Sequence, residues 1–161
     1  MVDRTKSLGS ENIQVLKDAL VDLVQKFDIS EDTTHVSLET FFKRATVHNK
    51  FNDPTYWSVS AVIDLINNSF NKLRSPTRVD LALETADEIM YTTANGDRSG
   101  EMNVLVVFTD GRTQDQTDFN VLTSAVESLT NVSIIQLTWF SKPIQNDMNR
   151  MLKYNGNKLR F

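Results

Sequence analysis

The sequence predicts an α/β fold, a three-layer doubly wound sandwich with a mostly parallel sheet and one antiparallel edge strand. Three observations carry that expectation. Segments with helical spacing alternate with β-rich runs along most of the 161 residues. The run MNVLVVFTDG (102–111) is continuously apolar rather than alternating, the pattern of a parallel strand covered on both faces. Two β-rich segments also face each other across a short polar turn, which supplies the antiparallel edge.

The first helix begins after Ser10, an N-cap residue type, with Glu11 in its first turn. Its apolar face is Ile13, Leu16, Leu20, Leu23, Val24 and Phe27. HVSLETFF (35–42), which alternates and is rich in β-formers, and ATVHNKF (45–51) form the hairpin. Helical spacing returns over 56–73 through Val59, Val62, Ile63, Ile66 and Phe70, and again from Val79 to Tyr91 through Ala82, Leu83, Ala86 and Met90. TTANGDRSGE (92–101) is a loop, and the 104–109 strand follows it. A helix carrying Phe119, Leu122, Ala125, Val126 and Leu129 leads to a second buried strand, VSIIQLTWF (132–140). A last helix (Ile144, Met148, Met151, Leu152) and a short strand, KLRF (158–161), complete the order.

Composition narrows the function. The chain is predicted to be a single domain over residues 1–161, with no internal repeat and no low-complexity segment. Seventeen basic residues against 21 acidic ones leave a net charge of −4, which argues against a nucleic-acid partner, since that needs a basic footprint. No apolar run approaches the ~18 residues that span a bilayer, so no membrane insertion is expected. With no cysteine, disulfide frameworks, thiol catalysis and thiolate zinc sites are excluded. Phosphate-binding loops and the common hydrolase signatures are absent. His35 and His48 fall on the hairpin, with His48 expected as an exposed edge residue; Trp57 and Trp139 read as core or rim aromatics.

The candidate chemistry lies at three places. Asp3, Thr5 and Ser7 put oxygen-bearing side chains on alternate positions. Asp110 closes the apolar 104–109 strand in a Thr109-Asp110-Gly111 turn, and the polar SPTR (75–78) precedes a helix. In open α/β sheets ligands bind beyond the carboxyl ends of the strands, where both of these point.

DRTKS, SPTRVDLAL and VVFTDG occur in this order and between these elements. Together they resemble the von Willebrand factor type A family, whose fold is shared with integrin inserted domains. The family's metal-ion-dependent adhesion site uses an Asp-x-Ser-x-Ser motif, a loop threonine and an aspartate in a Thr-Asp-Gly turn. The resemblance implies Asp3, Thr5, Ser7, Thr77 and Asp110 as the metal set, with Thr5 in place of a serine and Val79 in place of a second threonine. Hydroxyls and two carboxylates make a hard, all-oxygen site suited to Mg²⁺, or to Mn²⁺ or Ca²⁺. The expected function is metal-dependent adhesion or ligand binding in an extracellular, secreted protein, without enzymatic activity. A water position on the metal would accept a carboxylate from a protein ligand such as collagen or another matrix protein. The alternatives are an intracellular type A module docking partners in a metal- or ATP-dependent assembly and, third, a metal-assisted hydrolase. Only Met1-Val2 precede Asp3, and the chain stops at KLRF. The chain is therefore expected to lack the family's first strand and last helix, to be an excerpt of a longer chain, and to leave the centre of its sheet unpaired.

Overall fold

The computed structural model describes residues 1–10, 12–69, 73–109 and 119–138, with Ser7, residues 119–123 and Thr138 described through their backbone alone. Among the described residues five strands form one sheet: β1 (Val2–Asp3), β2 (Glu39–Phe41), β3 (Ala45–Val47), β4 (Asn103–Thr109) and β5 (Val132–Thr138), in the order β3-β2-β1-β4-β5. All neighbours are parallel except β2 and β3, so β3 is the antiparallel edge strand expected from the sequence.

Helices cover both faces. On one side, α1 (Asn12–Val24) and α2 (Val59–Ser69) bury Leu16, Leu20, Val24, Val62 and Ile66 against Val2 and Leu38. The spacing of four places each set on one helical stripe. On the other side, α3 (Val79–Thr85) and α4 (Phe119–Ser128) pack with Met1, Phe41, Leu105 and Val107. Leu105 and Val107 of β4 belong to this second cluster while Phe108 packs against the first, so the apolar run is indeed contacted from both faces. Beyond Thr85 the helix widens into a π turn over Ala86–Met90, closed by the Tyr91 N–H donating to the Ala86 carbonyl five residues back.

The expected gap at the sheet's centre is corrected. Val2 and Asp3 form a strand, short as it is: Val2 pairs with Thr40 on one side and Phe108 on the other. The Met1 amino group donates to the Val106 carbonyl at 2.9 Å, and the Phe108 N–H donates to the Met1 carbonyl at 2.9 Å. Two residues leave no periodicity to read, but they are enough to supply ladder hydrogen bonds in both directions at the upper end of β4.

The hairpin is shorter than the alternation suggested. Its pairs are Glu39↔Val47, Thr40↔Thr46 and Phe41↔Ala45. Below them the buried Asn49 side chain takes over from the ladder. Its Nδ2 donates to the Val36 carbonyl at 2.7 Å, and its Oδ1 accepts from the Leu38 N–H at 2.8 Å. His48 is also corrected: it is half-buried, and its Nε2 shares a 2.7 Å hydrogen bond with Thr40 Oγ1. Trp57 is a rim residue; it stacks on His35 at 5.1 Å and donates from its indole nitrogen to the Phe51 carbonyl. Asp110, Trp139, the predicted last helix and the final strand lie outside the described residues.

Candidate functional site

Asp3 is the last residue of β1 and is wholly buried. A carboxylate there needs partners, since burying an unsatisfied charged group is costly. The Thr5 N–H donates to its Oδ1 at 2.8 Å, the turn-forming habit of aspartate two residues on. The Thr109 hydroxyl, from the end of β4, donates to its Oδ2 at 3.0 Å. One bond orients the carboxylate along its own loop, and the other ties it to the carboxyl end of β4. Thr5 is buried at 2% exposure, and the chain then enters a 3₁₀ turn over Lys6–Leu8, which contains Ser7.

The Thr77 loop is held to the same edge. Arg74 forms an isolated parallel bridge with Thr5; its N–H donates to the Arg4 carbonyl at 3.0 Å, and its carbonyl accepts from the Lys6 N–H at 2.8 Å. On the far side of the loop the Arg78 N–H donates to the Phe42 carbonyl at 2.8 Å. The Arg78 guanidinium also forks onto the buried Asp80 carboxylate, which holds it further in its charged form. Thr77, 2% exposed, thus sits in a short clamped segment beside the carboxyl ends of β1 and β2.

Asp3, Thr5 and Thr77 therefore come from residues far apart in the chain to one edge of the sheet. Ser7 follows them by its backbone, and Asp110 lies outside the described residues. This donor set fits a hard divalent cation: one buried, oriented carboxylate and threonine hydroxyls, all oxygen. Among the described residues no three of His, Cys, Asp and Glu gather in a way that could hold a metal, so carboxylates and imidazoles alone do not make a site. No described helix is long and apolar enough to cross a membrane.

Several groups near this edge escaped sequence reasoning. Thr109 reads in the sequence as part of a turn, yet its hydroxyl holds Asp3. Arg4 and Arg74 both lie over the Phe42 ring. Burial, and then the charge of Arg74, lower the pKa of Arg4; burial, and then Arg4, lower that of His48. At the opposite end of the short central strand, Glu39 is fully buried, and among the described residues neither of its oxygens has a hydrogen-bond partner. Burial raises its pKa to about 8, against the smaller opposing pull of the Met1 amino group. The amino group, also buried, is lowered to about 6. Burial and then the Glu39 charge push Tyr91 up.

The sequence matches the family described as von Willebrand factor type A domain over residues 1–157. Among curated proteins it is 27% identical to chicken (Gallus gallus) matrilin-3 over 128 residues, covering 78% of this chain and 27% of that protein. It is 30% identical to mouse (Mus musculus) matrilin-2 over 118 residues, covering 71% of this chain and 12% of that protein. The chain thus spans about a quarter or less of the length of these relatives. Among solved structures, proximal thread matrix protein 1 from the mussel byssus, with a zinc-occupied MIDAS motif, superposes with a TM-score of 0.73 at 17% identity. The match covers 84% of this chain and 36% of that one. Manganese-loaded TRAP protein of Plasmodium vivax gives 0.75 at 16% identity, covering 94% and 59%. At these identities the superpositions establish the shared fold.

Proposed function

The chain belongs to the von Willebrand factor type A family, and we propose that it is a divalent-metal-dependent ligand-binding module. Asp3, Thr5, Ser7, Thr77 and Asp110 would hold Mg²⁺, or Mn²⁺ or Ca²⁺, directly or through water. The bound ion supplies one Lewis-acidic position at which water is exchanged for a carboxylate of a protein partner. The chain's own contribution is orientation: the Thr5 N–H and the Thr109 hydroxyl hold the Asp3 carboxyl group in place. That arrangement is the observation that carries the reading. The zinc and manganese named for the two similar structures support divalent-ion binding by a protein of this fold. The byssal thread matrix protein among them supports a secreted matrix setting, and with it a structural protein partner such as collagen. The reading is of binding rather than catalysis: the site offers a metal position with acidic and hydroxyl groups, and no described side chain stands there as a general base.

Titration of the chain with Mn²⁺, followed by electron paramagnetic resonance, tests this. One stoichiometric site that Asp3→Ala abolishes, with the circular dichroism spectrum preserved, is the expected result. Failure to bind at millimolar Mn²⁺ in a folded protein overturns the reading.

A further inference from the structure

Phe42 stands just past the end of β2, and two guanidinium groups share its ring. Arg4 lies 4.7 Å from the ring centroid and Arg74 5.6 Å. The backbone fixes both, since the Arg4 N–H donates to the Phe41 carbonyl and the Arg74 N–H to the Arg4 carbonyl, each at 3.0 Å. An aromatic face attracts a cation, but two cations gathered at one ring repel each other. Among the described residues neither has a carboxylate partner: the ion pair described is Arg78–Asp80. Arg4 Nε is buried without a hydrogen-bond partner there. This happens in a chain whose acidic residues outnumber its basic ones by 21 to 17, yet among the described residues no carboxylate lies within ion-pair distance of either guanidinium. Lys6, Lys43 and Arg44, all exposed, add to the positive field.

The location gives the pair a use. Arg4 lies between Asp3 and Thr5 in the chain, and Arg74 is bridged to Thr5, so the backbone of both arginines borders the segment that carries the proposed metal site. We propose that Arg4 and Arg74, held on Phe42, form an anion contact beside the metal position that takes a second carboxylate of the same acidic protein segment. This deepens the metal-dependent reading and rests on it for the first carboxylate. Guanidinium forks match carboxylates in two-point geometry, and an incoming acid relieves the repulsion between the two cations. The partner is then an acidic stretch of polypeptide rather than a lone acidic residue.

Fluorescence anisotropy with a labelled single-glutamate peptide and a labelled polyglutamate peptide, each in Mg²⁺ and in EDTA, tests the pair separately from the metal. The 161-residue chain should prefer polyglutamate by about tenfold, the size of one charge-assisted hydrogen bond. Arg74→Gln, at an exposed position, should erase most of that preference, and Arg4→Gln the rest. Phe42→Leu, which keeps an apolar side chain but removes the ring, should weaken it. In EDTA the binding of polyglutamate should fall yet still depend on both arginines. If EDTA changes nothing but the arginine dependence persists, the metal reading fails while the anion contact stands. Equal polyglutamate binding by wild type and both arginine variants overturns the proposal. So does capture of heparin with no affinity for polyglutamate, which would assign the patch to a sulfated glycan.

Discussion

Replacing Glu39 by glutamine should stabilise the protein, and by an amount that depends on pH. Glu39 is fully buried, neither of its oxygens has a hydrogen-bond partner among the described residues, and its pKa rises from 4.5 to about 8 on folding. The folded state therefore keeps a proton that the unfolded chain has already released, and stability falls as pH rises between these two values. At 1.36 kcal/mol per unit, the loss is about 5 kcal/mol across the whole window. The Met1 amino group acts in the opposite sense above pH 6. Its pKa drops from 8.0 to about 6, so the unfolded state binds the extra proton and stability rises with pH there. The clean interval is pH 4.5 to 6, where Glu39 alone should cost about 2 kcal/mol. Glutamine has nearly the same shape and leaves similar polar atoms unpaired, but it never ionises. Urea unfolding of both proteins in EDTA, at several pH values across this interval, isolates the residue, because every other carboxylate contributes equally to both. The two midpoints should coincide near pH 4.5 and separate by about 2 kcal/mol at pH 6, with m unchanged. A difference that is constant with pH, or a variant that is less stable at pH 6, refutes the account of Glu39 as a buried carboxyl held neutral by its surroundings.

Thr109→Val removes the hydroxyl that holds Asp3 Oδ2; Mn²⁺ affinity should fall about tenfold, the worth of one hydrogen bond to a charged group, while the fold survives. Calorimetric titration measures it, and unchanged affinity would mean that the hydroxyl does not orient the carboxylate. Asp110→Ala should abolish metal-dependent ligand binding and leave the thermal melt intact; an unfolded variant would make Asp110 a structural turn residue instead. Gly96→Ala should destabilise by about 1–3 kcal/mol. The backbone there has φ +94°, and an added Cβ would lie 2.5 Å from the Asn52 backbone nitrogen. A denaturation midpoint equal to wild type would show that the 92–96 turn yields freely.

What the sequence determined by itself was everything written locally. The four-residue repeat of Leu16, Leu20 and Val24 needs only helical geometry to become a buried stripe, and the structure buries all three. The apolar run ending at Thr109 needs only its length and composition to read as an inner strand. The Asp-x-Thr-x-Ser spacing, with the threonine loop and the Thr-Asp-Gly turn, marked the family because its chemistry is spelled in short motifs. What tertiary structure decided was whatever joins distant residues or breaks a local habit. A two-residue strand has no period, so β1 could be seen only once β2 and β4 offered it partners. Asn49 ends the hairpin ladder by side-chain bonds that alternation does not encode. Glu39 sits in an alternating segment where a charged residue would face water, but helices cover both faces of this sheet, so neither side of β2 is open to solvent. The Thr109–Asp3 bond spans 106 residues, and Arg4 and Arg74 meet over Phe42 only because three loops end at one edge. Local spacing specifies elements, and the convergence of their ends, which makes a site, is a property of the packed sheet.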